Sequence, residues 1–102
     1  MCGISGVINK TKNFSYIENI LKSMNESLHH RGPDDTGYYI DKEKGVYLGH
    51  KRLSILDLTK NGSQPMKSYC GRYIIVFNGE IYNHLKLRDD IKFNNNFDKW
   101  KS

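Results

Sequence analysis

Met1-Cys2-Gly3-Ile4-Ser5-Gly6-Val7-Ile8-Asn9 opens the chain, and the reading of this stretch decides the rest. Residues 3–9 have the composition of a short strand beginning almost at the N-terminus. Two glycines inside a strand mark places where another backbone or a ligand comes close. Cys2 directly follows the initiator methionine. Cysteine is small enough for an aminopeptidase to clip Met1, which would leave a thiol and a free α-amine on one residue. A nucleophile beside a base is the unit of covalent catalysis, and an N-terminal amine can serve as that base. The plainer alternative makes Cys2 a small buried apolar residue at the start of a strand. Four residues alone favour that alternative, so the remaining sequence must decide.

Working outward, Ser15-Tyr16-Ile17-Glu18 has the pattern of a capping box. Behind it Ile17, Ile20, Leu21, Met24 and Leu28 fall at helical spacing and form one apolar stripe. Glu18 and Lys22 form an i, i+4 pair on the same helix. Gly32-Pro33 predicts that the helix stops near His30 or Arg31. Gly37-Tyr38-Tyr39-Ile40 and Val46-Tyr47-Leu48-Gly49, joined by the charged turn Asp41–Gly45, predict a hairpin. Residues 60–65 read as a loop. Arg72-Tyr73-Ile74-Ile75-Val76-Phe77 is the strongest strand signal in the chain, ended by Asn78-Gly79. A helix is predicted from Asn83, with Leu87 and Ile91 on one face. The tail from Asn94 carries no apolar periodicity, and neither an internal repeat nor a domain linker is visible.

A length of 102 residues allows one small domain. With 37% hydrophobic and 26% charged residues and a mean hydropathy of -0.69, the core should be thin. The net charge of +5 raises nucleic acid and acidic membrane surfaces as partners. The lysines are scattered, however, with no basic run of the kind that grips phosphates, so the charge reads as solubility. Two cysteines, Cys2 and Cys70, are too few for a disulfide framework. No apolar stretch is long enough for a signal-peptide core or a membrane helix. The reducing cytoplasm is the expected compartment. A zinc site drawn from Cys2, Cys70, His29, His30, His50 and His84 finds no support, because no metal-type Cys or His spacing occurs.

Three polar segments lie beside the predicted strands: Arg31–Asp35, Gly49–Asp57 and Asn78–Asn83. Each has a structural reading alone: a helix-stopping loop, a surface charge at Arg52, a tight Asn-Gly turn. Set beside Cys2, they supply what cleavage of a primary amide needs. A thiol attacks the carbonyl, and an α-amine with a pKa of about 7.7–8.0 can take its proton. The oxyanion needs fixed donors. The Asn78 side chain and the Gly79 N–H offer such a pair, and glycine lets the backbone approach closely. A free amino acid substrate also brings a carboxylate, suited to an arginine fork, and an ammonium, suited to a carboxylate. Arg52, Glu80 and Asp98 are the candidates.

Cys2-Gly3-Ile4-Ser5-Gly6-Val7, His30-Arg31-Gly32-Pro33-Asp34, Gly49–Leu58, Gln64-Pro65-Met66 and Phe77-Asn78-Gly79-Glu80-Ile81-Tyr82-Asn83 together resemble the N-terminal glutaminase domain of glutamine-hydrolysing asparagine synthetases. The motifs recur in the same order and at similar spacing from residue 2 to about residue 93. Related class II amidotransferases share the N-terminal Cys-Gly-Ile but do not normally read Arg-Gly-Pro-Asp, Arg-Leu-Ser-Ile or Asn-Gly-Glu-Ile-Tyr-Asn. The resemblance implies an α+β fold, an αββα sandwich of the N-terminal-nucleophile type, with residues 1–102 spanning roughly its first half and the ATP-dependent synthetase domain absent. It implies Cys2 as nucleophile, Asn78 and the Gly79 N–H as oxyanion hole, and Arg52 as holder of the glutamine carboxylate. The backbone of Leu53, Ser54, Ile55 and Leu56 would line the pocket, and Glu80 would help bind the amine. Asp98, a few residues past Phe93, falls where the family has an aspartate, although the residues after it do not match.

The resemblance further implies no metal or cofactor at the glutaminase site, with ATP and Mg confined to the synthetase domain. The implied partners are glutamine and, through that second domain, aspartate or another acid acceptor, with a homodimer possible in the full-length family. Neither nucleic acid nor membrane is expected. Cys70 has no role in the pattern and is expected to be a buried or semi-exposed spectator. His29 and His50 are expected to be structural, donating to backbone near the site. Two other function classes stand beside this one. The first is a non-catalytic remnant or partner-binding fragment. The second is a small basic nucleic-acid binder, for which the seven tyrosines lack the interleaved, clustered cations of a stacking platform.

Overall fold

The computed structural model describes residues 1–55 and 58–95; Leu56, Asp57, residues 96–102 and the side chains of residues 93–95 lie outside the described residues. In chain order the elements are β1 (Gly3–Ile8), α1 (Phe14–Glu26), β2 (Asp35–Asp41), β3 (Val46–Arg52), a 3-10 turn at Lys60–Gly62, β4 (Met66–Lys67), β5 (Ile74–Ile75) and α2 (His84–Asn95). This is a mixed α+β architecture. The strands β1, β3 and β2 form one antiparallel sheet with β3 in the middle, and β4 pairs antiparallel with β5 in a second.

The register of the first sheet sorts its side chains onto two faces. Gly3 pairs with Lys51, Ser5 with Gly49 and Val7 with Tyr47, and Tyr38 and Ile40 join from β2. These residues face α1, whose predicted stripe supplies Ile17 and Leu21. With Tyr47 these form the buried core, and Val7, Tyr38 and Ile40 pack against it. Burying each such side chain is worth roughly 1.5–3 kcal/mol. The opposite face carries Ile4, Leu48, His50 and Arg52, and Ile4 and Ile8 are exposed there.

Polar groups also fasten α1 to the sheet. Asn25, fully buried, accepts from Ser5 Oγ at 3.1 Å and donates through Nδ2 to the His50 carbonyl at 3.4 Å. Lys51, 2% exposed, donates its Nζ to Glu26 Oε1 and to Thr36 Oγ1, both at 2.8 Å. That hydrogen bond first, and the ammonium charge second, hold the Glu26 carboxyl below its ordinary value of 4.5.

Several local expectations are corrected. α1 starts at Phe14 with Asn13 at its N-cap, so Ser15 lies inside the helix and does not cap it. Glu18 pairs with Lys42 at 3.3 Å, because the hairpin turn brings Lys42 over the first turn of α1. The helix ends at Glu26; the bonds Leu28 N–H to Asn25 O and His29 N–H to Glu26 O tighten the chain into turns well before Gly32. The hairpin is present with longer strands than expected. The strand predicted at residues 72–77 shrinks to Ile74–Ile75, because among the described residues its partner is the two-residue β4. Ile75 and Phe77 stand exposed in consequence. α2 forms as expected, but Leu87 and Ile91 remain exposed on it.

The Tyr47 hydroxyl is buried and has no hydrogen-bond partner among the described residues. An unsatisfied buried donor costs about 1–3 kcal/mol. Tyr47→Phe is therefore expected to raise the urea midpoint of unfolding, with the slope unchanged. A lower midpoint would mean that the hydroxyl has a partner after all.

Candidate active site

Cys2 precedes the Gly3–Lys51 pair of the β1–β3 ladder, which sets it level with Arg52, the last residue of β3. The Leu53 N–H donates to its Sγ at 3.3 Å, and the thiol points back at the Leu53 carbonyl at 3.7 Å. Its own carbonyl accepts from Arg31 Nε at 3.1 Å. The nucleophile candidate is thus held by its backbone and touched at sulfur by the Leu53 N–H.

The Arg31–Asp34 segment buttresses the same corner. A Cβ on Gly32 would collide with the Lys51 carbonyl, so only glycine lets this segment lie against β3. Asp34 then brackets the chain beyond the strand: its N–H donates to the Arg52 carbonyl at 2.9 Å, and its Oδ2 accepts from the Ser54 N–H at 2.8 Å. On the other side, a Cβ on Gly37 would collide with the Gln64 carbonyl, and its absence lets the Gln64 segment cross β2.

Arg52 is 7% exposed and donates through Nη1 to the Thr59 carbonyl at 2.6 Å. His50, 1% exposed, sets Nε2 at 3.4 Å from the Phe77 carbonyl. Gln64 Oε1 accepts from the Phe77 N–H at 2.6 Å. These contacts tie the Thr59 and Phe77 segments to the end of β3, and Gln64 to Phe77, around a cleft of about 350 Å³. Of the residues singled out in the sequence, Cys2, Arg52, Leu53, Ile55, Asn78, Gly79 and Glu80 line it. Ser54 does not line it, and Leu56 and Asp98 lie outside the described residues. Among the described residues no group of three or more His, Cys, Asp or Glu is placed to hold a metal ion.

The chain matches the family model of the glutamine amidotransferase domain over residues 1–102. The chain belongs to the glutamine amidotransferase domain family. Among curated relatives, the asparagine synthetase (glutamine-hydrolyzing) 1 of Bacillus subtilis is 44% identical over 94 residues, covering 90% of this chain and 14% of that protein. The putative asparagine synthetase (glutamine-hydrolyzing) 2 of Methanocaldococcus jannaschii is 42% identical over 110 residues, covering 92% of this chain and 21% of that protein. The probable asparagine synthetase (glutamine-hydrolyzing) of Dictyostelium discoideum is 40% identical over 91 residues, covering 89% and 16%. The chain therefore spans between 14% and 21% of the length of these relatives.

For this amidotransferase domain, sequence reasoning missed several residues of the cleft. Gln64 lies in the Gln-Pro-Met motif but had been given no role. Phe77 and Tyr82 flank the Asn-Gly pair within the motif quoted for it, and Gly62 and Met1 complete the lining. The expectation for His50 as a structural residue near the site agrees with its contact to Phe77. His29 instead stands exposed in the turn after α1. Cys70, expected to be buried or semi-exposed, is exposed. It shares a short contact with Ser68 Oγ at 3.4 Å, which, ahead of the Arg72 backbone, lowers its pKa.

Burial pushes the His50 imidazole below its ordinary value of 6.5. The neighbouring Arg52 charge adds to that, while the Phe77 carbonyl and Asp35 oppose it. The unfolded chain thus takes up a proton near pH 6.5 that the folded chain resists, so the unfolded state binds more protons and stability falls as pH drops below that value. Urea midpoints are expected to decline from pH 7.5 to pH 5.5, with the decline reduced in His50→Gln. An equal decline in the two proteins would contradict the assignment.

Proposed function

We propose that this chain carries a glutaminase site that hydrolyses glutamine to glutamate and ammonia, the amide-donor half of glutamine-dependent asparagine synthesis. The observation that carries this reading is the convergence of Cys2, Arg52, Asn78, Gly79 and Glu80 on one cleft, within a chain of the glutamine amidotransferase domain family. We read residues 1–102 as part of that domain, with the αββα sandwich of the N-terminal-nucleophile type as its fold. On the face of the first sheet away from α1, Ile4 and Ile8 are exposed, which is compatible with a further layer over that part of it.

In this reading Met1 is removed first. It is 71% exposed, and Cys2 keeps its Arg31 and Leu53 contacts without it. The freed α-amine takes the thiol proton, and Sγ attacks the side-chain amide carbon. The oxygen that gains the electron pair is held by the Asn78 amide and the Gly79 N–H. Collapse of this adduct breaks the C–N bond, the amine returns its proton to nitrogen, and ammonia leaves a thioester on Cys2. Water then attacks the thioester, giving glutamate and restoring the thiol. Arg52 binds the substrate carboxylate and Glu80 the ammonium, with Asp98 proposed as a second partner of the amine. Leu53 and Ile55 form part of the wall.

ATP and Mg would serve a separate synthetase domain, which activates aspartate or another acid acceptor to receive the ammonia, and none of the cleft residues is assigned to them. Homodimerisation is proposed for the full-length protein. A cytoplasmic location fits two free cysteines; no helix of the described residues is long and apolar enough to cross a membrane. The test is glutamate release from glutamine by wild type and Cys2→Ala. Wild type should release glutamate, and Cys2→Ala should lose it by a factor of about 10³ or more, as for removal of a covalent nucleophile. Equal rates in the two would exclude Cys2 as nucleophile.

A further inference from the structure

We propose that His50 and Gln64 are positioning residues that hold the two peptide groups flanking the Phe77 Cα, Gln64 through the N–H before it and His50 through the carbonyl after it, and so set the aim of the Asn78 and Gly79 donors. This rests on the glutaminase reading above. The ladder of the second sheet stops at Ile75, two residues short of Phe77. Yet both polar groups of the Phe77 backbone are taken by side chains. Its N–H donates to Gln64 Oε1 at 2.6 Å, and its carbonyl lies 3.4 Å from His50 Nε2.

Neither holder is free to wander. His50 is 1% exposed and sits mid-sheet, paired with Ile4 on one side and Gly37 on the other; its carbonyl accepts from Asn25. Gln64 lies over Gly37, where any side chain would collide with its carbonyl. A carbonyl accepts only, so the imidazole must present Nε2–H to Phe77. Burial, with Arg52 beside it, disfavours the charged ring, while the Phe77 carbonyl and Asp35 act in the opposite sense.

The consequence follows from peptide planarity. The Phe77 carbonyl and the Asn78 N–H share one rigid plane. Holding that plane anchors the Asn78 Cα, from which the Asn78 side chain departs through φ and the Gly79 N–H through φ and ψ, and so narrows where both donors can point. Asn78 and Gly79 are themselves exposed at the cleft rim and have little packing to hold them. A displacement of about 1 Å in a reacting group can cost on the order of 10²-fold in rate.

The test is steady-state glutamine hydrolysis by wild type, His50→Leu, His50→Gln, Gln64→Leu and Gln64→Glu, with kcat separated from KM. His50→Leu and Gln64→Leu should lower kcat about 10- to 100-fold with KM held within about threefold, the signature of a loss felt in the transition state. His50→Gln, which keeps an N–H donor, and Gln64→Glu, which keeps the acceptor oxygen, should each recover most of that loss. Failure of both conservative variants to recover activity, or a rise in KM with kcat unchanged, would overturn this positioning role. If His50→Leu does not fold, the Gln64 pair decides the question, since Gln64 is only half-buried. Wild type with no glutamate release above Cys2→Ala would overturn the glutaminase reading and this inference with it. An active wild type with unaffected variants overturns the inference alone.

Discussion

The register of β1 on β3 is the constraint on which the rest of the structure depends. Gly3 lies opposite Lys51, so Cys2 falls one step beyond, at the height of Arg52 and against Leu53. A slip of one residue would turn every side chain of β1 to the other face. Val7 would leave the α1 core, Ile8 would enter it, and Cys2 would point away from the cleft. The register is pinned by matched partners on the α1 face: Val7 beside Tyr47, and Ser5 beside Gly49 under the buried Asn25. The same packing that stabilises the sheet therefore places the thiol.

The end of β3 does the second part of the construction. His50, Lys51 and Arg52 are consecutive, polar and buried. Such burial is costly unless each group finds a partner, and each does. Alternation sends Lys51 to the α1 face, where Glu26 and Thr36 receive it. His50 and Arg52 go to the opposite face, where the Phe77 and Thr59 carbonyls lie within reach. With an apolar core of three buried residues among the described ones, the loops around the cleft depend on these polar links for their position. That gives a physical reason for a lysine, a histidine and an arginine to occupy a strand whose middle is otherwise apolar.

What the sequence made legible was whatever depends on periodicity or on local spacing. The α1 stripe, the 37–49 hairpin and the early strand follow from side-chain alternation and turn chemistry, and all three are present. The cleft residues Cys2, Arg52, Asn78, Gly79 and Glu80 were found because each pairs a residue type with a chemical need. What could not be read were long-range polar contacts. Nothing in a helical pattern announces that Asn25 is buried under two strands, or that Gln64 caps the Phe77 N–H thirteen residues away. The strand at 72–77 was overestimated for a related reason: β propensity reports a surface suited to pairing, whereas strand length is set by the partner, here the two residues of β4.

Intact mass after treatment with an electrophilic glutamine analogue tests the placement of Cys2 most directly. The chain contains its own control, because Cys70 is exposed and its thiol pKa is lowered, so a reagent indifferent to the cleft should find it. The expected result is a chain lacking Met1 that gains a single adduct at Cys2, with labelling suppressed by glutamine. Retention of Met1, or an adduct at Cys70 that glutamine does not suppress, would contradict the assignment of this cleft as a glutamine site.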